Sequence, residues 1–424
     1  MSTICAISTA KGGAIGVIRT SGPEAINITN SIFHGKKSLK EVKPYSMNFG
    51  EIRDNDETID EVIVSVFRAP HSYTGEDSTE ISCHGSSYIL QRIIELLIKN
   101  GCEMARPGEY TQRAFLNGKM DLSQAEAVAD LIASNNASSH RIALQQMRGG
   151  YSKKLEELRD RLLEMTSLLE LELDFSEEDV EFADRKKLLD LADNISTEIT
   201  KLTDTFHMGN AIKNGVPVAI IGAPNVGKST LLNALLHDDR AIVSDIHGTT
   251  RDLIEDTITI KDITFRFIDT AGIRHTDDTI EKMGIERSIR AAEKAQIIIL
   301  LTEPGVDFPD IEVSEDQQVI RITNKTEQFQ ALYNIGVKEL EEKLVASVPN
   351  NDHEILVTNL RHYEALTNAN TDITLAKESL ISGFSGDIIA EDLRMCLSHL
   401  GEILGQITSD EVLQNIFAHF CIGK

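Results

Sequence analysis

The stretch from Gly222 to Ser229, which reads GAPNVGKS, constrains the fold of this chain more than any other feature. It matches the phosphate-loop pattern G-x-x-x-x-G-K-[ST] and lies between the apolar strand sequence VAII and the helix sequence STLLNALL. In that context the glycines let backbone N–H groups point at phosphate oxygens, and the helix N-terminus favours the anion. We therefore predict an α/β domain in which Lys228 contacts phosphate and the Ser229 hydroxyl binds Mg²⁺.

Two further motifs follow the phosphate loop in the order found in GTPases. Thr250, in SDIHGTTRD, is placed as a switch threonine for Mg²⁺, and Asp269-Thr-Ala-Gly272 follows the apolar strand TFRFI. A carboxylate at that strand end can hold Mg²⁺ through water, and the Gly272 amide can sense the γ-phosphate. Ile273, the next residue, is apolar and cannot orient a water, so another group must do this or hydrolysis is slow.

The segment ITNKTEQF is placed where a guanine-recognition motif belongs, at a downstream strand end, but its last position is unusual. Asn324-Lys325-Thr326-Glu327 stands where Asn-Lys-x-Asp is expected. One extra methylene moves the carboxylate by about 1.5 Å, and a misplaced charge-assisted pair costs about 2–3 kcal/mol. The Ser-Ala-Lys loop that should precede the final helix, in QALYNIGVKELEEKL, is also missing. We predict weaker and less selective base binding beside an intact phosphate half, unless a nearby group compensates.

The rest of the chain predicts a multidomain α/β plus α protein. Short apolar runs and one clear helix indicate an α/β domain over residues 1–118, and almost purely helical patterns cover 119–214 and 349–424. Leu155, Leu158, Leu162, Met165 and Leu169 step by three and four along one helix. The simplest architecture is a helical domain in two halves, with the α/β nucleotide domain, residues 215–348, inserted between them.

Composition limits the functional classes. The net charge of −25, from 42 basic and 67 acidic residues, argues against a stand-alone nucleic-acid binder. The five cysteines are scattered, which favours a reducing cytosol over a disulfide framework. We find no signal peptide and no apolar run of about 18 residues, so we expect a cytoplasmic protein without a membrane span.

At this point the sequence resembles one family along essentially its whole length, the tRNA modification GTPase MnmE (TrmE) family. The resemblance is carried by GGAIGVIRTSG, HSYTGED, ARPGEYTQRAFLNGKMDLSQAEAVADLI, the nucleotide motifs and the terminal CIGK. It implies a folate-binding and dimerising N-terminal α/β domain, a split helical domain and an inserted Ras-like domain. It also implies a homodimer that works with the flavoprotein MnmG on the wobble uridine of certain tRNAs. Much of the tRNA binding is attributed to MnmG, which suits the acidic chain.

The same resemblance implies potassium-dependent hydrolysis, in which a cation supplies the charge of an arginine finger. The potassium-binding asparagine matches Asn225, and Ser244, Ile246 and Thr249 are the further oxygen donors. The water-positioning carboxylate of the family matches Glu281. It would orient the attacking water, which Ile273, the residue after Gly272, cannot do. The remaining predicted nucleotide contacts lie in the same motifs: Val226, Gly227, Thr230, Asp245, His247, Gly248, Thr270, Ala271, Asn324 and Lys325.

Folate contacts carry over from the family to four residues: Arg19, Glu80, Lys119 and the terminal Lys424. A carboxylate can pair with the pterin N–H edge, and cations can meet the glutamyl carboxylates. The one-carbon unit would be carried by 5,10-methylene- or 5-formyl-tetrahydrofolate. Cys421 resembles a functionally important cysteine of the family, although a buried structural thiol is an equal alternative.

Two other functions compete with the tRNA modification GTPase. One is a nucleotide-dependent scaffold with feeble hydrolysis and relaxed base specificity, which holds folate and a partner. The other is a ribosome-assembly GTPase, which fits the nucleotide domain but leaves the first 210 residues and CIGK unexplained. Potassium-stimulated hydrolysis would distinguish the tRNA modification GTPase from the scaffold.

Overall fold

The computed structural model forms two compact units. It describes residues 1–10, 12–174, 185–237, 256–268, 291–314, 317–348, 355–418, 420 and 422–423. The first unit comprises Met1–Ile132, Gln146–Glu156 and Gly401–Lys424, and the second comprises Ala133–Gln145 and Glu157–Leu400. Each unit contains a sheet and helices, so the predicted multidomain α/β plus α class is confirmed. The four domain boundaries given above stay predictions.

The first unit is built on a seven-stranded sheet with the order β3-β4-β5-β6-β2-β1-β7. Its strands are β1 Ile4–Ile7, β2 Ile15–Ser21, β3 Phe33–Gly35, β4 Ser46–Asp54, β5 Glu57–Phe67, β6 Ser78–His84 and β7 Glu103–Met104. Alternate residues of β5 point inward, and Val62, Val64 and Val66 are fully buried. These valines share one hydrophobic core with Ile93 and Leu97, which lie on the apolar side of α2, residues Ser87–Lys99. The alternation of VIVSV therefore fixes which face of the sheet the helices cover.

The second unit holds a five-stranded sheet with the order β12-β11-β8-β10-β9. Its strands are β8 Val216–Gly222, β9 Asp256–Ile260, β10 Ile263–Phe267, β11 Ile297–Thr302 and β12 Gln318–Thr323. β9 and β10 form the hairpin predicted around Lys261-Asp262, and both turn residues have positive φ. The other neighbouring pairs are parallel, so the phosphate loop follows the carboxyl end of a central, buried strand.

The connection from β11 to β12 contains no helix among its described residues, 303–314 and 317. Parallel strands are usually joined through a helix that covers one face of the sheet. Here Phe308 and Ile311 pack instead against a core cluster that includes Ile221, Ile298 and Leu300. In the described part of the chain β12 pairs with β11 alone, so it forms one edge of the sheet.

In the sequence, the helices lie between and after these strands. In chain order they are α1 Ala25–Ile32, α2 Ser87–Lys99, α3 Glu109–Leu116, α4 Leu122–Ala133, α5 Ala137–Met147, α6 Gly150–Asp174, α7 Arg185–Asp204, α8 Phe206–Asn214, α9 Lys228–His237, α10 Val337–Ala346, α11 Leu360–Ser382, α12 Gly386–Leu404 and α13 Asp410–Ala418. The predicted apolar stripe lies on α6, where all five of its residues are at most 1% exposed. No described helix is both long and apolar enough to cross a bilayer.

Helices from the two ends of the second unit's sequence pack side by side. Ser196 of α7 donates a 3.0 Å hydrogen bond to Asn370 of α11, and Lys377 forms an ion pair with Asp193. Asn359 caps α11 by accepting from the Arg361 amide, and Gly383 ends the helix with a φ of 71°. The nucleotide-binding sequence is therefore inserted between helices that contact each other.

We predict that Leu162→Ala destabilises the protein strongly, because Leu162 is 0% exposed on the α6 stripe. Removing a buried leucine side chain costs about 2–5 kcal/mol. Leu163→Ala is the matched control, since the neighbouring leucine is 39% exposed. Thermal unfolding measures both variants, and a similar loss of Tm in the two would show that the stripe is not the packing face.

Candidate nucleotide-binding site

The phosphate loop connects β8 to α9 through two close backbone approaches. A Cβ at Gly222 would lie 2.4 Å from the Leu301 carbonyl oxygen, and one at Gly227 would lie 2.4 Å from Asn324 Nδ2. Gly227 also has a φ of 101°, and Asn225 adopts a left-handed φ of 62°. Only glycine satisfies the two close approaches, which explains the glycine spacing of the motif in physical terms.

Lys228 begins α9, and its ammonium folds back over the loop. Its Nζ donates hydrogen bonds of 2.7 Å and 2.8 Å to the carbonyl oxygens of Gly222 and Ala223. Burial lowers the pKa of Lys228, because the half-buried ammonium has lost part of its hydration. Ser229 and Thr230 follow it in the first helical turn and are also half-buried. Phosphate oxygens offer this cation stronger acceptors than the two carbonyls.

Asn324 joins the phosphate loop to the loop that follows β12. Its side chain is 4% exposed, and Nδ2 donates a 2.9 Å hydrogen bond to the Val226 carbonyl oxygen. Its Oδ1 accepts a 3.2 Å hydrogen bond from the Ala331 amide. Both the donor and the acceptor of this buried side-chain amide therefore have hydrogen-bond partners, one in the phosphate loop and one in the loop that follows β12.

Lys325 also contacts the phosphate loop. Its φ is 61°, and its Nζ donates to the Asn225 carbonyl oxygen at 3.4 Å and forms an ion pair with Glu303 at the end of β11. The structure therefore brings five predicted site residues together: Asn225, Val226, Gly227, Asn324 and Lys325.

Glu327 lies outside this network. It occupies a tight turn in which the Thr326 amide donates to the Phe329 carbonyl and the Phe329 amide donates to Thr326 Oγ1, each at 3.0 Å. Its side chain is exposed, and no hydrogen bond or ion pair of the described residues engages it. The unusual residue of the motif thus points to solvent within a closed turn.

Sequence reasoning missed the segment that follows, the 330–335 hairpin. Gln330 and Ile335 exchange two backbone hydrogen bonds of 3.1 Å, and Ala331–Tyr333 forms a 3₁₀ turn between them. Asn334 and Gly336 have φ values of 56° and 77°. Asparagine and glycine are typical of left-handed positions, so N-x-G was the available signal for a tight loop here.

The remaining predicted nucleotide residues lie outside the described residues. These are Ser244, Asp245, Ile246, His247, Gly248, Thr249, Thr250, Asp269, Thr270, Ala271, Gly272 and Glu281. Cys421 and Lys424 of the terminal tail are outside them as well.

In the first unit, Arg19 and Glu80 face each other across neighbouring strands. They are register partners on β2 and β6, and Arg19 donates from Nε at 3.0 Å and from Nη2 at 2.7 Å to Glu80 Oε1. The Arg19 guanidinium lies 5.6 Å from the Tyr73 ring centroid and 5.7 Å from that of Tyr110. Both tyrosines were missed by sequence reasoning, and burial raises the pKa of each.

The terminal tail and Lys119 belong to the same unit. Ser8 Oγ and Arg19 Nη1 donate to the Gly423 carbonyl oxygen at 3.2 Å and 3.5 Å. A Cβ at Gly423 would lie 2.6 Å from the Ile7 carbonyl, so the CIGK glycine is needed for this approach. Lys119 Nζ donates to the Pro70 carbonyl oxygen at 3.0 Å. The tail is therefore held beside Arg19, two of whose nitrogens also bind Glu80.

A buried ion network supports the loop that carries Tyr73. Arg113, 4% exposed, donates to Glu109 Oε1 at 2.8 Å, to both Glu76 oxygens at 3.2 Å and to the Ser2 carbonyl oxygen at 2.7 Å. Burial opposes ionisation of Glu109, but the Arg106 amide and Arg113 hold its pKa below the usual value. The Tyr73 and Thr111 hydroxyls share a 2.9 Å hydrogen bond. This network fixes the position of one ring beside Arg19.

Comparison with known proteins gives consistent matches over the whole chain. The model of the GTP-binding protein TrmE N-terminus matches residues 3–119, and that of the MnmE helical domain matches residues 122–421. Curated proteins called tRNA modification GTPase MnmE are 57% identical in Bacteroides fragilis strain YCH46 and in Bacteroides thetaiotaomicron, and 50% identical in Flavobacterium johnsoniae. Each alignment covers 100% of this chain and 99% of the relative.

These alignments run over 461 to 463 residues, whereas the chain has 424. The relatives therefore carry residues that this chain lacks.

We predict that Gly227→Ala weakens binding of Mg²⁺–GTP by about tenfold or more, because it adds backbone strain and a clash with Asn324. Titration with a fluorescent GTP analogue measures the loss. Gly305→Ala is the matched control, since Gly305 has a φ of 83° but open space around its Cβ position. Equal losses in the two variants would show that contact with Asn324 is unimportant.

Proposed function

The chain belongs to the MnmE family of tRNA modification GTPases, and we propose that it is potassium-activated and modifies carbon 5 of the wobble uridine with MnmG and a folate one-carbon unit. It is accordingly a GTP-hydrolysing enzyme that acts in tRNA modification. The observation that carries the proposal is the contact of Asn324 with Val226, which attaches the base-side motif to a complete phosphate loop. GTP would be converted to GDP and phosphate at the γ-phosphate end of that loop.

Binding of the triphosphate starts from the residues of the phosphate loop. The backbone amides that follow Gly222 bind the β- and γ-phosphate oxygens, and the Lys228 ammonium exchanges its two carbonyl acceptors for phosphate. Ser229 and Thr250 would hold Mg²⁺, with Asp269 acting through water and the Gly272 amide meeting the γ-phosphate. Mg²⁺ neutralises charge that develops on the phosphate oxygens.

The side chain of Asn225 is chemically suited to bind potassium. Its backbone carbonyl accepts from Lys325, while no hydrogen bond of the described residues engages its exposed side chain. Its amide oxygen, together with oxygens of Ser244, Ile246 and Thr249, would form a neutral oxygen donor set suited to a hard monovalent cation. Glu281 would orient the attacking water, the role for which Ile273 is chemically unsuited.

The Arg19–Glu80 pair fits tetrahydrofolate. Glu80 Oε2 is not used in the hydrogen bonds to Arg19, so it can accept from the pterin N–H edge. The ring of Tyr73, which is 37% exposed, supplies apolar surface beside the pair, and Lys119 and Lys424 would meet the glutamyl carboxylates. We assign the one-carbon unit to 5,10-methylene- or 5-formyl-tetrahydrofolate, and Cys421 to a role in the same reaction.

The proposed assembly is a homodimer that binds MnmG, with most tRNA contacts made by MnmG. The net charge of −25 supports this division, because phosphate backbone repels an acidic protein.

A second function is favoured by one specific observation, the exposed position of Glu327 in its closed turn. A protein that does not read the guanine edge could serve as a nucleotide-dependent scaffold for folate and a partner. Hydrolysis would then be weak and similar for GTP and ATP.

We predict that GTP hydrolysis is at least about tenfold faster in K⁺ than in Na⁺ at equal ionic strength, because the cation replaces an arginine finger. Phosphate release measures the rate in each salt. Glu281→Ala should remove the stimulation while GTP binding remains, since Glu281 acts on water rather than on the nucleotide. Equal rates in the two salts would disprove the potassium site, and rates at background with GTP and ATP would favour the scaffold.

We predict that Glu80→Gln weakens binding of 5-formyl-tetrahydrofolate by about tenfold, because a charged acceptor is replaced by a neutral amide. Isothermal titration calorimetry gives the affinity. Glu51→Gln is the matched control, since Glu51 forms a half-buried ion pair with Arg53 on the same sheet. Unchanged folate affinity in Glu80→Gln would remove this residue from the site.

A further inference from the structure

One loop of the first unit concentrates positive charge on a chain that is acidic as a whole. The segment 36–43, the lysine loop, connects β3 to β4 and reads KKSLKEVK. It contains four lysines and one glutamate, whereas the whole chain has 42 basic and 67 acidic residues. All four lysines are exposed: Lys36, Lys37, Lys40 and Lys43. The loop is therefore a positive patch on a protein of negative net charge.

The ammonium groups of the lysine loop are not neutralised by acidic neighbours. Within the described residues, none of the four forms an ion pair or a hydrogen bond. Exposed lysines elsewhere do so, since Lys99 pairs with Asp54 at 3.6 Å and Lys201 pairs with Glu198 at 2.9 Å. Like charges placed together repel one another, so the four lysines leave a positive potential that an anion can use.

The backbone of the lysine loop is fixed although its lysines are exposed. Leu39 is 0% exposed, Val42 is 8% exposed, and both belong to the hydrophobic core of the first unit. Asn30 Oδ1 accepts hydrogen bonds from the Leu39 amide at 2.8 Å and from the Ser38 hydroxyl at 3.0 Å. Less ordering is needed when a partner binds a loop that is already held in place.

A fifth cation lies against this loop, just after the end of β5. Arg68 Nη2 donates a 2.8 Å hydrogen bond to the Lys40 carbonyl oxygen, and no ion pair of the described residues engages its guanidinium. The Ser46 hydroxyl donates to the Lys43 carbonyl oxygen at 2.6 Å. Seven residues span at most about 25 Å, so the five positive charges share one small area of surface.

We propose that the lysine loop and Arg68 bind the phosphate backbone of RNA, namely the tRNA of the proposed function. The inference rests on that function and adds to it an RNA contact made by this chain itself. Cations that neutralise phosphates release counterions, and this release supplies much of the affinity for a nucleic acid. Contacts to the backbone position the RNA but carry no sequence information, so the choice of tRNA is made by other groups.

An anionic bilayer is the other polyanion that a basic loop could meet. Peripheral membrane segments combine cations with apolar side chains that enter the bilayer. The apolar residues of the lysine loop, Leu39 and Val42, are buried in the protein core and are not available for insertion. The arrangement therefore favours RNA over a membrane surface.

The test measures binding of an unmodified tRNA transcript to the full chain by fluorescence anisotropy, at salt concentrations from about 50 to 200 mM. The loop variant carries four substitutions: Lys36→Gln, Lys37→Gln, Lys40→Gln and Lys43→Gln. It should bind about tenfold or more weakly at the lowest salt, and the slope of log Kobs against log salt should fall by about 3. Changing the same four lysines to arginine keeps the charge and should retain both values. GTP hydrolysis without tRNA should be unchanged in either variant.

A control variant loses the same formal charge at four exposed lysines of other elements: Lys99→Gln, Lys201→Gln, Lys338→Gln and Lys343→Gln. Exposed charges farther apart than about 10 Å are largely screened at 0.1 M salt. The control should therefore lose less than about threefold in tRNA affinity. An equal loss in the two glutamine variants would show that net charge, and not the lysine loop, governs binding.

Three other results would overturn the inference while leaving the proposed function in place. These are absence of tRNA binding by the unaltered chain at the lowest salt, unchanged binding by the loop variant, and binding of phosphatidylserine vesicles in place of tRNA. Failure of the unaltered chain to support wobble-uridine modification with MnmG and folate is a separate outcome. It would overturn the proposed function without any change in the loop, so the two failures are distinguishable.

Discussion

The nucleotide site depends on one buried side chain, Asn324. Its amide satisfies a carbonyl of the phosphate loop with Nδ2 and an amide of the 330–335 hairpin with Oδ1. The same Nδ2 atom leaves no space for a side chain at Gly227. Because a buried amide that loses a partner pays the full cost of desolvation, the three segments hold one another in place. The phosphate loop and the segment that carries the predicted base motif are thereby held together without a bound nucleotide.

The local parts of this arrangement follow from sequence, and the long-range parts do not. An apolar strand pattern, the GAPNVGKS loop and a helical pattern follow one another in the sequence, and they predicted β8, the phosphate loop and α9. This was possible because glycine spacing and apolar periodicity are local signals. The 330–335 hairpin could not be predicted, because its attachment to the phosphate loop comes from contact between Ala331 and Asn324 across separate elements. Tyr73 and Tyr110 were missed for the same reason: only folding of β2, α3 and the HSYTGED loop places both rings beside Arg19.

The segment between β11 and β12 shows how a sheet keeps its core without a helix in the described part of that connection. Where a helix would ordinarily cover the sheet, Phe308 and Ile311 supply apolar contact from a segment with no helical residue in its described part. The edge strand β12 carries the exposed Arg321 and Gln318, and charged or polar residues protect an edge from pairing with another chain. The apolar contact of this segment reaches β8 as well as β11, because Ile221 belongs to the same cluster as Ile298 and Leu300.

Separation of the phosphate half from the base half has a mechanistic consequence. The charge that develops during hydrolysis is spread over phosphate oxygens, and in the proposed mechanism the groups that would stabilise it are the loop amides, Lys228 and the cations. None of these depends on which hydrogen bonds the base accepts or donates. In that proposal a change at Glu327 would alter which nucleotides bind, and how tightly, while the chemical step would keep the same stabilising groups. Asn324 and Lys325 would be the exceptions, because they contact the phosphate loop directly.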